Sequence, residues 1–265
     1  DGGYNYATTD LAALIHRLKA GFKRIIYVVD AGQSLHFQML FAAISKAGYF
    51  SQYPAQAVHV PFGVVLGEDG KKFKTRSGHV EKLKDLLQEG INAAKTILQK
   101  KDPSLEEHTL VEHAKILGID AIKYADLSSH RLRDYLFSYE RMLSFEGNTA
   151  AFILYACVRA QSILRKVSSR ISPSSKIVLE HPSEINLAIH MLQFPEVLYE
   201  IEQDLLPHKL TEYLYLLAEK FNLFFRDCRV EGSKEQESRE LVCSLVVLLF
   251  RKGMELLGLK PLERM

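Results

Sequence analysis

Ile25-Ile26-Tyr27-Val28-Val29, followed at once by Asp30-Ala31-Gly32-Gln33, decides the fold of the first part of the chain. Four of the five apolar residues are β-branched, and a run of this kind suits a buried parallel strand. Before it, Thr8 or Thr9 is placed to cap a helix with Leu11, Leu14, Ile15 and Leu18 on one face, ending at Gly21. After it comes a helical stretch, roughly Ser34 to Lys46, closed by Ala47-Gly48, and then a second strand from Val58 to Val65. This alternation predicts a parallel sheet covered by helices, with ligands bound at the carboxyl ends of the strands.

From about residue 80 the pattern is helical throughout. Ser104-Leu105-Glu106-Glu107 matches a capping box before a helix reaching about Leu117. Long amphipathic stretches follow at 148–168, 183–204, 208–228 and 236–257, with polar gaps at 167–175 and 230–236 that read as loops. The predicted class is α/β followed by all-α.

The formal net charge of the 265 residues is +2, which argues against a binder acting through diffuse positive charge but leaves room for local basic patches. Cys157, Cys228 and Cys243 form neither a CxxC pair nor a Cys/His cluster, so no protein-bound metal is expected, and a reducing compartment fits. No apolar run is long enough to span a bilayer, so no membrane partner is expected.

Residues 66–78 read Leu-Gly-Glu-Asp-Gly-Lys-Lys-Phe-Lys-Thr-Arg-Ser-Gly, with Lys71, Lys72, Lys74 and Arg76 crowded between glycines. By itself the run is a solvated basic turn or a loop that neutralises a polyphosphate. Lys72-Phe73-Lys74-Thr75-Arg76-Ser77-Gly78 resembles the degenerate KMSKS loop of the class I arginyl-tRNA synthetases. Segments Asp1 to Ala12, Ile26 to His36, Pro61 to Gly67, Lys123 to Ser128, Gly147 to Ala150 and Leu257 to Met265 are also similar to that family's, in its order.

The resemblance implies the C-terminal half of a Rossmann-type catalytic domain with the KMSKS-like loop and connecting helices (1–140), then a helical-bundle anticodon-binding domain (141–265). It implies ATP-dependent activation of arginine to an adenylate and transfer to tRNA(Arg), with ATP and Mg2+ as the small-molecule requirement. A cytoplasmic monomer is expected. The family's His-x-Gly-His signature is not in the chain, which begins at Asp1 without an initiator Met. The expectation is therefore a C-terminal part of a synthetase, inactive by itself. Other readings are a cysteinyl-like class I synthetase, or a non-catalytic tRNA-binding protein derived from a synthetase.

The resemblance also assigns residues. Tyr6, Asp10 and Gln33 would surround the arginine guanidinium, whose planar fork wants carboxylate and amide acceptors. Read from sequence alone, Asp10 is a helix first-turn charge, Tyr6 a core residue and Gln33 a loop residue. His36, Gly63, Val64 and Val65 fall on the ATP side, His36 equally well as a packing residue. Lys72, Lys74 and Arg76 would stabilise the departing pyrophosphate, Lys72 first by register, although Phe73 replaces the family's Met and Lys74 its first Ser. Phe152, Tyr155 and Arg159, spaced i, i+3, i+7, share a helix face suited to stacking on anticodon bases or to core packing. Phe225 and Met265 complete the implied tRNA contacts.

Overall fold

Asn5, not Thr8 or Thr9, starts the first helix, α1 (Tyr6–Lys19): its Oδ1 accepts the Thr8 N–H at 2.9 Å. The threonines are inside the helix, where their hydroxyls bond back to Asn5 and Tyr6. The start three residues earlier moves Asp10 from the expected first turn into the second. The computed structural model describes residues 3–67, 70–71, 82–167 and 176–264. Lys72, Lys74, Arg76 and Met265 lie outside the described residues. Two compact units form, Asp1–Leu66 with Arg131–Tyr135, and Gly67–His130 with Leu136–Met265.

In the first unit α1 is closed off by Gly21, just past its end, whose φ of 88° lets the Phe22 N–H return to Arg17 O while the Gly21 N–H donates to Leu18 O. Strand β1 (Arg24–Asp30) follows, then a 3-10 turn (Ala31–Gln33), α2 (Ser34–Lys46), the short α3 (Tyr49–Gln52) and β2 (Gln56–Phe62). The strands are parallel, in register from Arg24 opposite Gln56 to Asp30 opposite Phe62. Leu14 and Leu18 of α1 and Phe37, Leu40 and Ile44 of α2 close over Ile25. The opposite face is open: Ile26 and Val28 are exposed, so the strand expected to be buried is covered on one side only.

The second strand also stops earlier than its apolar run. It breaks at Gly63, whose N–H donates to Arg131 O at 2.7 Å, and Val65–Leu66 is a separate two-residue strand. A Cβ on Gly63 would lie 2.8 Å from the Arg133 backbone, so a glycine is needed for the chain to pass.

The second unit is helical: α4 (Leu83–Lys101), α5 (Glu107–Ser128), α6 (Tyr139–Met142), α7 (Ala150–Lys166), α8 (Pro182–Leu192), α9 (Phe194–Asp204), α10 (His208–Asp227) and α11 (Gln236–Leu256). The Ser104–Glu107 capping box does not form; the Ser104 N–H donates to Asp102 Oδ1, and α5 starts at Glu107 and runs past Leu117 to Ser128. A box forms instead at α8, where His181 Nδ1 accepts from the Ser183 N–H and Glu184 accepts from the His181 N–H. The stretch 183–204 is two helices, because Pro195 brings no N–H to continue the first ladder. Helix α7 packs against α5, α10 and α11, and Thr149 caps it, accepting from the Phe152 N–H. Burial pushes the thiols of Cys157 and Cys243 up to about 12, marking them as packing residues.

The chain's last described residues do not fray. The Asp120 carboxylate accepts the Lys260 N–H at 2.7 Å, Lys123 Nζ donates to Gly258 O, and Arg165 donates to Glu263 O. Leu259 and Leu262 are buried beneath these bonds. Burial raises the Asp120 pKa from 3.8 to about 6, with the Lys260 N–H and the Lys123 and Lys260 charges pulling the other way. A carboxyl that binds its proton more tightly when folded costs nothing below about pH 4; the cost grows as pH rises and is complete above about pH 6, on the order of 3 kcal/mol. Asp120→Asn keeps an acceptor for Lys260 without the buried charge. We expect it to stabilise the protein by roughly 1–3 kcal/mol at about pH 8 and by much less at about pH 5. Thermal melts across that range check this, and a gain independent of pH would remove Asp120's charge as its cause.

Candidate functional site

The turn after β1 is built by Asp30, whose carboxylate accepts the Gly32 N–H at 2.9 Å. A Cβ on Gly32 would sit 2.8 Å from that carboxylate oxygen, so a side chain here would push the carboxylate off its bond to the turn. Gln33 is thereby left exposed at the carboxyl end of the strand, and His36 falls in the first turn of α2. Helix α1 supplies the opposing wall with Tyr6 at its first position and Asp10 one turn later. Between them is a cavity of about 540 Å³ lined by Tyr6, Leu11, Gln33, His36, Met39 and Leu40 among others.

Tyr6, Asp10 and His36 are tied together here. His36 Nε2 lies 2.8 Å from Asp10 Oδ2, and the Tyr6 and His36 rings are 5.1 Å apart. Tyr6 is an exposed wall residue, not a core residue. An amide and an imidazole line this largely apolar cavity, and a carboxylate stands behind the imidazole, a set that fits a long cation with an apolar stem and a planar head. His36, expected on the nucleotide side, is held against Asp10 and Tyr6.

Gly63, Val64 and Val65 stand beyond the end of β2. The close approach that Gly63 permits is made by Arg133 and Asp134 of the same unit, and the Val64 N–H donates to Asp134 Oδ1 at 2.7 Å. Arg131 reaches back to Pro61 O at 2.8 Å. Arg131 and Asp134 thus brace the segment; no local pattern could show this, because the partners are 70 residues apart.

On the helical unit, Phe152, Tyr155 and Arg159 are the positions of α7 between Ala150 and Ala160 that escape full burial. The Arg159 guanidinium lies over the Tyr155 ring at 4.8 Å and over the Phe225 ring at 5.0 Å, and donates to Asn222 Oδ1 at 2.6 Å. Lys101 Nζ stands over Phe145 at 3.5 Å and Tyr155 at 4.1 Å. The result is a row of alternating rings and cations, with Phe225 exposed at one end. Phe152 turns to Tyr215, at 5.5 Å. The hydrogen bond from Arg159 and the nearby cations lower the Tyr155 pKa, and partial burial lowers that of Lys101. Sequence reasoning missed Lys101, Phe145 and Asn222, which come from α4, the segment before α7, and α10.

Residues 1–139 match the family described as tRNA synthetases class I (R), catalytic domain, and residues 153–265 match the DALR anticodon binding domain. An arginine–tRNA ligase of Protochlamydia amoebophila is 53% identical over 270 residues, covering 100% of this chain. The chain belongs to the arginyl-tRNA synthetases. Another member, from Nostoc punctiforme, is 47% identical over 274 residues. The chain spans about half the length of these relatives, 46% and 47%. The arginyl-tRNA synthetase of Plasmodium falciparum superposes with a TM-score of 0.87 at 39% identity, over 100% of this chain and 45% of that one. That of Thermus thermophilus gives 0.78 at 28% identity, over 91% and 41%. The α/β-then-helical organisation of this synthetase chain is the one expected from its sequence.

Proposed function

We propose that the whole protein is an arginine–tRNA ligase. The observation that carries this reading is the cavity of Tyr6, Gln33 and His36 with the Asp10 carboxylate behind it, in a chain about half identical to such ligases along its full length. The arginine stem runs along Leu11 and Leu40. Asp10 and the Gln33 amide oxygen accept from the guanidinium, and Tyr6 closes the wall. A lysine ammonium, a point charge without the fork, leaves an acceptor unpaired and is rejected.

ATP binds at the carboxyl ends of β1 and β2, with its adenine along Gly63-Val64-Val65. The arginine carboxylate oxygen attacks the α-phosphorus and pyrophosphate leaves. Lys72, Lys74 and Arg76 neutralise the charge that grows on the leaving group. A tRNA ribose hydroxyl then attacks the adenylate carbonyl, and AMP departs. Mg2+ enters as the counter-ion of the ATP phosphates, which needs few protein carboxylates. Among the described residues no group of three or more His, Cys, Asp or Glu side chains is gathered to hold it.

The ring-and-cation row of Tyr155, Arg159 and Phe225, with Phe152 and Met265, takes the unpaired anticodon bases and their phosphates. Aminoacylation by the whole protein tests both halves of the reading. Arginine is charged onto tRNA(Arg) and lysine is not. Tyr155→Ala raises the tRNA KM by roughly 5- to 150-fold, the loss of one base stack, with the arginine KM unchanged. A parallel fall in melting temperature would return Tyr155 to a packing role. Binding of tRNA with no charging would favour a non-catalytic relative.

A further inference from the structure

We infer that His36 is a positioning residue of the arginine pocket, acting through Asp10. The inference rests on the functional reading above and goes beyond it in assigning a specificity role to a residue expected near the nucleotide. An ionised carboxylate only accepts, so at 2.8 Å His36 Nε2 is the donor and Asp10 Oδ2 the acceptor. The imidazole is itself held. Its side chain is 16% exposed, its ring meets Tyr6 at 5.1 Å and stands edge-on to Phe37 at 5.3 Å, and its backbone is in the first turn of α2.

Asp10 needs that hold. Its side chain is 39% exposed on the second turn of α1, and among the described residues its side-chain hydrogen-bond partner is His36. A free carboxylate there rotates and is hydrated, and a ligand must pay for ordering it. The bond to Oδ2 fixes the carboxylate plane and leaves Oδ1 for one guanidinium N–H, with the Gln33 amide oxygen available to another. An oriented carboxylate with an amide acceptor nearby suits a planar fork better than a single ammonium. The Tyr6–His36 ring contact ties the wall that lies against the substrate to the same imidazole. His36 thus converts a surface carboxylate into a pre-organised acceptor.

A double-mutant cycle in the whole protein decides this. His36→Leu keeps bulk but removes the donor; it should raise the arginine KM about tenfold or more, with the ATP KM and kcat within about twofold. His36→Gln, which can extend an N–H to nearly the same place, should recover at least half of that loss on a logarithmic scale. In an Asp10→Ala background, His36→Leu should add less than about twofold, because the group it positions is gone. Where His36→Leu lowers the melting temperature, the His36→Gln comparison and arginine binding at equilibrium carry the test. Multiplicative losses in the double variant, or a rise confined to the ATP KM, would overturn the inference. An arginine KM indifferent to Asp10→Ala would overturn the pocket reading itself, and the role of His36 with it.

Discussion

Asp10→Ala in the whole protein raises the arginine KM about 30- to 150-fold and leaves the ATP KM within about twofold. The size follows from the bond lost. A charge-assisted carboxylate–guanidinium hydrogen bond is about twice as strong as a neutral one, and truncating one partner of a buried charge pair costs about 2–5 kcal/mol. Asp10 is partly exposed, at 39% of its side chain, so solvent screens the interaction and places the loss near 2–3 kcal/mol. Asp10→Asn retains one acceptor without the charge and should fall between wild type and alanine. Steady-state kinetics with varied arginine at saturating ATP and tRNA measure the effect. An unchanged arginine KM would take Asp10 out of the pocket.

Gly118→Ala destabilises the helical unit by about 3 kcal/mol, against the usual sign of such a change. In an ordinary helix interior, alanine for glycine gains about 1 kcal/mol from backbone entropy. At Gly118 the added Cβ would meet Gly90 O at 2.6 Å, Gly90 C at 2.7 Å and Ile91 Cα at 2.7 Å. All three are backbone atoms of α4, so no side chain can swing away and the two helices must separate. Separation opens the packing around Ala94, Leu98, Ala114 and Leu117, all buried, and overpacking of this kind outweighs the propensity gain. Gly253→Ala is the comparison: its Cβ would press on the Leu214 side chain, which can change rotamer, and the loss should be smaller. Urea unfolding followed by helical circular dichroism distinguishes them. A Gly118→Ala protein as stable as wild type would show that α4 and α5 separate without cost.

The elements carried by local periodicity were legible before any coordinates. The face of Leu14 and Leu18, the run Ile25 to Val29 and the helix from Ser34 to Lys46 all appear where expected. Their exact starts were less legible, because several capping residues compete within a few positions. Asn5 displaced Thr8 at α1, and Asp102 drew Ser104 away from capping α5. Spacing also placed Phe152, Tyr155 and Arg159 on one face, and the fold shows that face escaping full burial.

The sequence by itself determined the family, the order of the strand-and-helix part and the helical part, and the residue types near the strand end. The tertiary structure decided which of them meet. His36 bonds to Asp10 across 26 positions, Val64 to Asp134 across 70, and Lys260 to Asp120 across 140. The ring-and-cation row takes Lys101, Tyr155 and Phe225 from three helices. The reason is physical. Hydrophobic periodicity records which side of a helix or strand leaves water, and that is settled within a few residues. A hydrogen-bond partner is settled only when distant elements pack, and the side chain that completes a pocket is chosen by closure of the whole chain.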